Sequence, residues 1–361
     1  MMLDVSLAHD FGGFSVDVAF TAPPGVTALF GASGAGKTTV VNTVAGLFTP
    51  QRGRVAIGDT VLLDTARGIS LPPPRRRVGY VFQEPRLFPH LSVRANLLYG
   101  ARFAPRGAQG PEFAAVVEML GIGALLKRRP GALSGGEKAR VSIGRALLSK
   151  PRFLLLDEPL AALDAARSDE ILPFLERLRD AGLPVLLVSH AIAEVARLAA
   201  TLVLLDEGRV LAAGPVAGLL SDPRLAPRLG GTEAGSVIAA RVSGRDTDGL
   251  VRAETTGGPV WLVAAPEVPG GRLRLRIHAS DVILARERPQ GLSALNILQG
   301  VVQEISAEAD GRAFVRLDIG GESLLARITA RSVRALGLAP GVPCHAVLKS
   351  VAVSPADLSQ G

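Results

Sequence analysis

Apolar residues fall along this chain in two textures. In the first part, short unbroken apolar runs at 26–30, 78–82, 153–157, 185–189 and 202–206 read as strands that are apolar on both faces. Helical periods stand between some of them, at 37–46 and 167–181. Strands of this kind need cover on both sides, which predicts an α/β domain with a largely parallel sheet. The segments 3–8, 14–20, 54–57 and 60–63 instead alternate apolar and polar residues and predict an antiparallel β subdomain. A stretch rich in Pro, Gly and small residues follows at 223–235. Beyond it the alternation is short and regular, at 237–242, 250–254, 260–263, 273–277, 301–305, 313–317 and 323–328, with glycine-bearing turns between. A small all-β, OB-like barrel fits that texture, with one short helix near 330–337. The expected organisation is therefore residues 1–228, a linker at 229–235, and a β-barrel region at 236–361.

The candidate chemistry sits at strand ends. The first parallel strand runs into Gly31-Ala32-Ser33-Gly34-Ala35-Gly36-Lys37-Thr38, with Thr39 next, and a helix begins there. Glycines at this spacing let backbone N–H groups crowd around phosphate oxygens, Lys37 supplies positive charge, and the Thr38 hydroxyl suits Mg²⁺. The strand at 153–157 ends in Asp157-Glu158, at the edge where parallel sheets place ligands. Asp157 is the candidate metal acid and Glu158 the candidate general base for an attacking water. His190 and Gln83 end two further strands in the same way. His190 is assigned to the γ-phosphate, and Gln83 to Mg²⁺ or the attacking water. Leu133-Ser134-Gly135-Gly136-Glu137 opens another helix with two bare glycines, a second anion seat. Two such seats far apart in sequence suggest that two copies face each other, each completing the other's site.

Charge and composition narrow the partners. The net charge of the 361 residues is +7, but the basic residues are dispersed and only Arg75-Arg76-Arg77 form a tight run. Aromatic residues at 4% are not interleaved with that run, so no nucleic-acid partner is expected. Cys344 is the single cysteine, so no internal disulfide forms. No run of 18 apolar residues occurs, and the opening Met1-Met2-Leu3-Asp4 does not read as an export signal.

Taken together and in this order, the loop 31–38, Gln83, residues 133–137, Asp157-Glu158, Leu163-Asp164 and His190 resemble an ATP-binding cassette ATPase. The resemblance implies a P-loop fold with a helical subdomain and a head-to-tail homodimer. ATP and Mg²⁺ would lie between the glycine loop of one subunit and Ser134, Gly135 and Gly136 of the other, with Asp164 linking the two sites. Ala139 stands where such helices often carry Gln. Phe11 is the candidate for stacking adenine, with Phe14 as runner-up. Residues 85–99 resemble the importer segment that receives a helix of the membrane subunit, which implies a separate permease and a peripheral place on the cytoplasmic face of the bacterial inner membrane.

The segment 290–300 resembles the opening of small molybdate-binding domains, and Lys349-Ser350 their second anchor, over about 290–352. Ser293, Asn296, Lys349 and Ser350 are then the oxyanion candidates, while Leu295 stands where a basic residue is common. The alternative is that Ser293 and Asn296 only make a turn. Together with residues 79–83, this tail points to a molybdate importer, with tungstate as co-substrate and a periplasmic molybdate-binding protein as indirect partner. The same cassette can energise sulfate, iron, polyamine or sugar uptake, and an oxyanion sensor with a vestigial ATPase is the other class. The intact Lys37, Asp157, Glu158 and His190 argue against the sensor.

Overall fold

The fully apolar runs become one contiguous half of a sheet, with the run at 78–82 supplying its edge strand. Strands β1 (Leu3–Asp10), β2 (Ser15–Ala22) and β3 (Val26–Phe30) lead into helix α1 (Lys37–Ala45). Then follow β4 (Arg52–Ile57), β5 (Thr60–Asp64), β6 (Ile69–Ser70), α2 (Pro73–Arg76) and β7 (Val78–Val81). Helices α3 (Val93–Ala101), α4 (Phe113–Met119) and α5 (Gly135–Leu148) precede β8 (Phe153–Asp157), α6 (Ala165–Asp180) and β9 (Val185–Val188). Helix α7 (Ile192–Leu198), β10 (Thr201–Asp206) and β11 (Arg209–Pro215) follow. The computed structural model describes residues 2–104, 107–161, 165–180, 183–263, 265, 270–349 and 358–360.

The strands form one eleven-stranded sheet in the order β6-β5-β4-β1-β2-β11-β10-β3-β9-β8-β7. Its β10-β3-β9-β8-β7 half is parallel. Every residue of β3 and β9 is buried, which is why those segments carry no polar alternation. At the other end β1 pairs antiparallel with β2 and β4. Strand β2 shows strict exposed–buried alternation, as its sequence predicts.

The chain divides into two compact units, Met1–His190 with Leu198–Ala213, and Ala191–Arg197 with Gly214–Gly361. The second contains α8 (Val216–Leu220), β12 (Gly235–Arg245), β13 (Val251–Thr255), β14 (Gly258–Leu262) and β15 (Arg272–His278). It continues with β16 (Ile283–Ala285), β17 (Asn296–Ala307), β18 (Arg312–Asp318), β19 (Ser323–Thr329), α9 (Ala330–Ala335), β20 (Pro343–Leu348) and β21 (Leu358–Gln360). These strands make two five-stranded sheets, β14-β13-β12-β15-β21 and β16-β20-β17-β18-β19, around one shared apolar core. Residues 214–228, grouped with the first domain by sequence, fall in this unit, because α8 buries Val216 and Leu220 and packs on β12. The Pro- and Gly-rich stretch is packed as well. Ala226 and Ala234 are buried with Ala279, Phe314 and Leu325, since small side chains let the backbone lie close to a large ring.

Candidate nucleotide site

Four neighbouring parallel strands end at one edge. In the register, Val188 is level with Leu29 on one side and Asp157 on the other, and Val81 is level with Leu156. The glycine loop after β3, the pair Asp157-Glu158, His190 and Gln83 are therefore delivered to the same sheet edge. A cavity of about 770 Å³ opens there, lined by Ser33, Gly34, Gly36, Lys37, Thr38 and Thr39 of the loop and by Gln83, Glu158 and His190. Phe11 and Phe14 line it as well. The loop's Ala32 is exposed and Ala35 buried.

The loop is built for close approach. A Cβ on Gly31 would lie 2.4 Å from the Leu205 carbonyl oxygen of β10. Gly36 holds φ at 96° as the N-cap of α1 and offers no side chain to cap it, so the first-turn N–H groups face the cavity. Lys37 is 7% exposed. Its Nζ donates to the carbonyls of Gly31 at 2.8 Å and Ala32 at 2.9 Å. Burial pushes the Lys37 ammonium below its usual range, and Glu158 and Asp157 oppose the shift.

The acidic side is equally ordered. Glu158 takes φ of 46°, a left-handed conformation that a side chain adopts only under constraint. Its N–H donates to Val188 O at 3.0 Å. Its Oε2 accepts from Gln83 Nε2 at 3.1 Å and lies 3.5 Å from His190 Nδ1. Asp157 accepts from the Tyr80 hydroxyl at 2.9 Å. Burial raises the Asp157 carboxyl above its usual range, and the Tyr80 bond counteracts it. Thr38, Gln83 and Asp157 also line a second recess beside the first. A hydroxyl, an amide and a carboxylate form a hard oxygen set that suits Mg²⁺ completed by phosphate and water.

The second anion seat is elsewhere. Ser134 caps α5, accepting from the Glu137 N–H at 3.2 Å, and Glu137 returns a bond to the Ser134 N–H at 2.7 Å. Ser134 is exposed, Gly135 half-buried and Gly136 buried, and none of the three lines the cavity of their own chain. Asp164 lies outside the described residues.

Residues 16–161 match the ABC transporter family, and residues 292–355 match the TOBE domain. A molybdenum import ATP-binding protein ModC of Rhizobium meliloti (strain 1021) is 50% identical over 357 residues, 98% of this chain and 99% of its own length. Its counterpart from Rhodospirillum rubrum is 49% identical, covering 98% of this chain and 97% of that protein. The chain belongs to the molybdenum import ATP-binding protein family of ABC transporters. It therefore carries a nucleotide-binding ABC ATPase domain. In shape this ATPase is similar to the ADP conformation of an ATP-binding cassette of an ABC transporter, with a TM-score of 0.54 and 25% identity over 64% of this chain and 98% of that one. It is also similar to a dimeric post-hydrolysis cassette bound to ADP and Pi, with a TM-score of 0.50 and 27% identity over 60% of this chain and 99% of that one.

Two features of this ATPase's site escaped the sequence reading. Phe11 does not stand alone: it stacks on Phe48 at 5.8 Å and meets His9 edge-on at 4.3 Å, so the ring that lines the cavity belongs to an aromatic cluster. Phe48 stands two residues past Gly46, which ends α1, and nothing local distinguishes it. The second is Tyr80, whose hydroxyl meets Asp157 although nothing in its strand's sequence marks it. In the TOBE region, the β17–β20 register sets Asn296 opposite Leu348, which brings Lys349 beside it. Asn296 is buried, and its amide accepts from the Trp261 N–H at 2.7 Å and donates to the Trp261 carbonyl at 3.1 Å. Ser293 and Lys349 are exposed, and Ser350 lies outside the described residues.

Proposed function

We propose that the chain is the ATP-hydrolysing subunit that energises import of molybdate, with tungstate as co-substrate, through a separate membrane permease. The observation that carries this reading is about half identity to molybdenum import ATP-binding proteins across both the ATPase and the TOBE region. No helix among the described residues is long and apolar enough to cross a membrane; in this reading the chain is a peripheral subunit on the cytoplasmic face. A periplasmic molybdate-binding protein would deliver the substrate to the permease.

Within the cleft, the N–H groups of the loop 31–38 hold the β- and γ-phosphates, and Lys37 neutralises them. Thr38, Asp157 and Gln83 would hold Mg²⁺, which when bound offsets charge on the phosphates. Glu158 takes the proton of the attacking water, Gln83 donates to its carboxylate, and His190, 3.5 Å from that carboxylate, contacts the γ-phosphate and orients the water. Phe11 supplies an apolar ring for adenine. Because Ser134, Gly135 and Gly136 sit outside their own cavity, a second chain placed head to tail completes the site; the family resemblance assigns Asp164 to the link between the two sites.

In the tail, Lys349 and Ser293 grip an oxyanion, and Asn296 retains one amide N–H for it beyond the Trp261 bonds. Ser350 is assigned to the same set. Calorimetry on the full chain is expected to show molybdate and tungstate binding that Lys349→Ala weakens about tenfold, equal to about 1.4 kcal/mol. The substrate reading is tested on the reconstituted transporter. Molybdate with its binding protein should stimulate ATP hydrolysis and sulfate should not; equal stimulation by sulfate would sink it.

A further inference from the structure

The Asp157 carboxylate is held by a side chain from a different strand. Tyr80 lies on β7, next to β8 in the sheet, and its register partner is Leu155, two residues before the aspartate. Its hydroxyl donates to Asp157 Oδ2 at 2.9 Å. Tyr80 is half-buried, and a backbone carbonyl or water could satisfy its hydroxyl. Here the acceptor is the one carboxylate the site assigns to the metal. Both residues line the recess that also holds Thr38 and Gln83.

The ring of Tyr80 is itself fixed. It stacks on Phe82 with centroids 3.8 Å apart and an interplanar angle of 26°. The Arg86 guanidinium covers Phe82 from 4.4 Å. The Arg86 carbonyl in turn accepts from Arg145 Nη1 of α5 at 2.6 Å. A continuous chain of contacts thus runs from Asp157 through Tyr80, Phe82 and Arg86 to the helix that Ser134 opens.

We infer that Tyr80 is a positioning residue for the metal site, fixing the Asp157 carboxylate by occupying one oxygen and leaving the other for the cation. A carboxylate without that donor rotates about its last torsion and presents no fixed oxygen. An outer hydrogen-bond partner of this kind typically changes metal affinity about 10- to 100-fold when removed. The inference rests on the assignment of Asp157 to Mg²⁺, and the test separates the two.

The probe is Mn²⁺, followed by its paramagnetic resonance signal in the full chain with ATP, in a Glu158→Gln background in which hydrolysis is expected to be slow enough for ATP to persist. Tyr80→Phe keeps the ring stack and removes one oxygen. It is expected to raise the Mn²⁺ concentration for half-saturation about tenfold, with the thermal midpoint nearly unchanged. Asp157→Asn is expected to raise it further. If Asp157→Asn weakens Mn²⁺ and Tyr80→Phe does not, the positioning role is overturned and the assignment of Asp157 stands. If neither variant weakens Mn²⁺, the assignment falls and the inference with it. Should Tyr80→Phe fail to fold, Phe82→Leu, which removes the ring against which Tyr80 lies, carries the same test: a raised requirement supports the role, and an unchanged one overturns it.

Discussion

Glu158→Gln is expected to slow ATP hydrolysis about 100- to 10,000-fold while ATP still binds. The amide keeps the volume of the carboxylate and can still meet Gln83 and His190, but it cannot take a proton. The backbone at Glu158 reinforces the assignment. A left-handed φ of 46° at a glutamate costs of order 1–3 kcal/mol and persists only where neighbours enforce it. Here the Glu158 N–H to Val188 O bond, at 3.0 Å, ties the turn to β9, the strand that also delivers His190. With hydrolysis blocked, the γ-phosphate remains to bridge two chains, so the variant is expected to run as a dimer in Mg-ATP by light scattering and as a monomer without nucleotide. Wild-type turnover would remove Glu158 as the base. A monomer at saturating Mg-ATP would remove the shared site, since Ser134 to Gly136 would then have no phosphate to meet.

The parts of this site that could be read from sequence are those set by local physics. A five-residue apolar run needs burial on both faces, so its polar end must lie at a sheet edge, and Asp157-Glu158 and His190 followed from that. The glycine spacing of 31–36 is likewise a backbone requirement visible in the letters. Contacts between distant strands were not visible. Tyr80 and Asp157 are 77 residues apart, and a tyrosine inside an apolar strand carries no mark of its partner. Asn296 was legible as a polar residue near a turn, but its bonds to Trp261 come from the packing of two sheets. The strand Pro343–Leu348 was missed because it opens on a proline, a poor strand signal. Its pairing with β17 is what brings Lys349 toward Asn296. Strand β11 was missed for another reason: it has no fully buried residue, so no apolar alternation marks it.

Gly31→Ala is expected to lower both nucleotide affinity and stability, although it adds a single methyl group. That methyl would stand 2.4 Å from the Leu205 carbonyl and 3.2 Å from the Ala35 Cβ. Neither neighbour is a flexible tip: Leu205 belongs to β10, which is hydrogen-bonded to β3. The loop must therefore move, and overpacking of this kind costs about 1–3 kcal/mol, read as a lower denaturant midpoint. The same shift displaces the Gly31 carbonyl that accepts from Lys37 Nζ at 2.8 Å. A lysine that loses its rest position and N–H groups that no longer converge should together weaken ATP binding by at least about tenfold, or 1.4 kcal/mol. Ser33→Ala provides the contrast. Ser33 is exposed, and the reading gives phosphate contacts to backbone N–H groups rather than to its hydroxyl, so stability should change by less than about 0.5 kcal/mol and affinity little. If Ser33→Ala were the more damaging of the two, side-chain oxygens rather than the glycine backbone would be holding the phosphates.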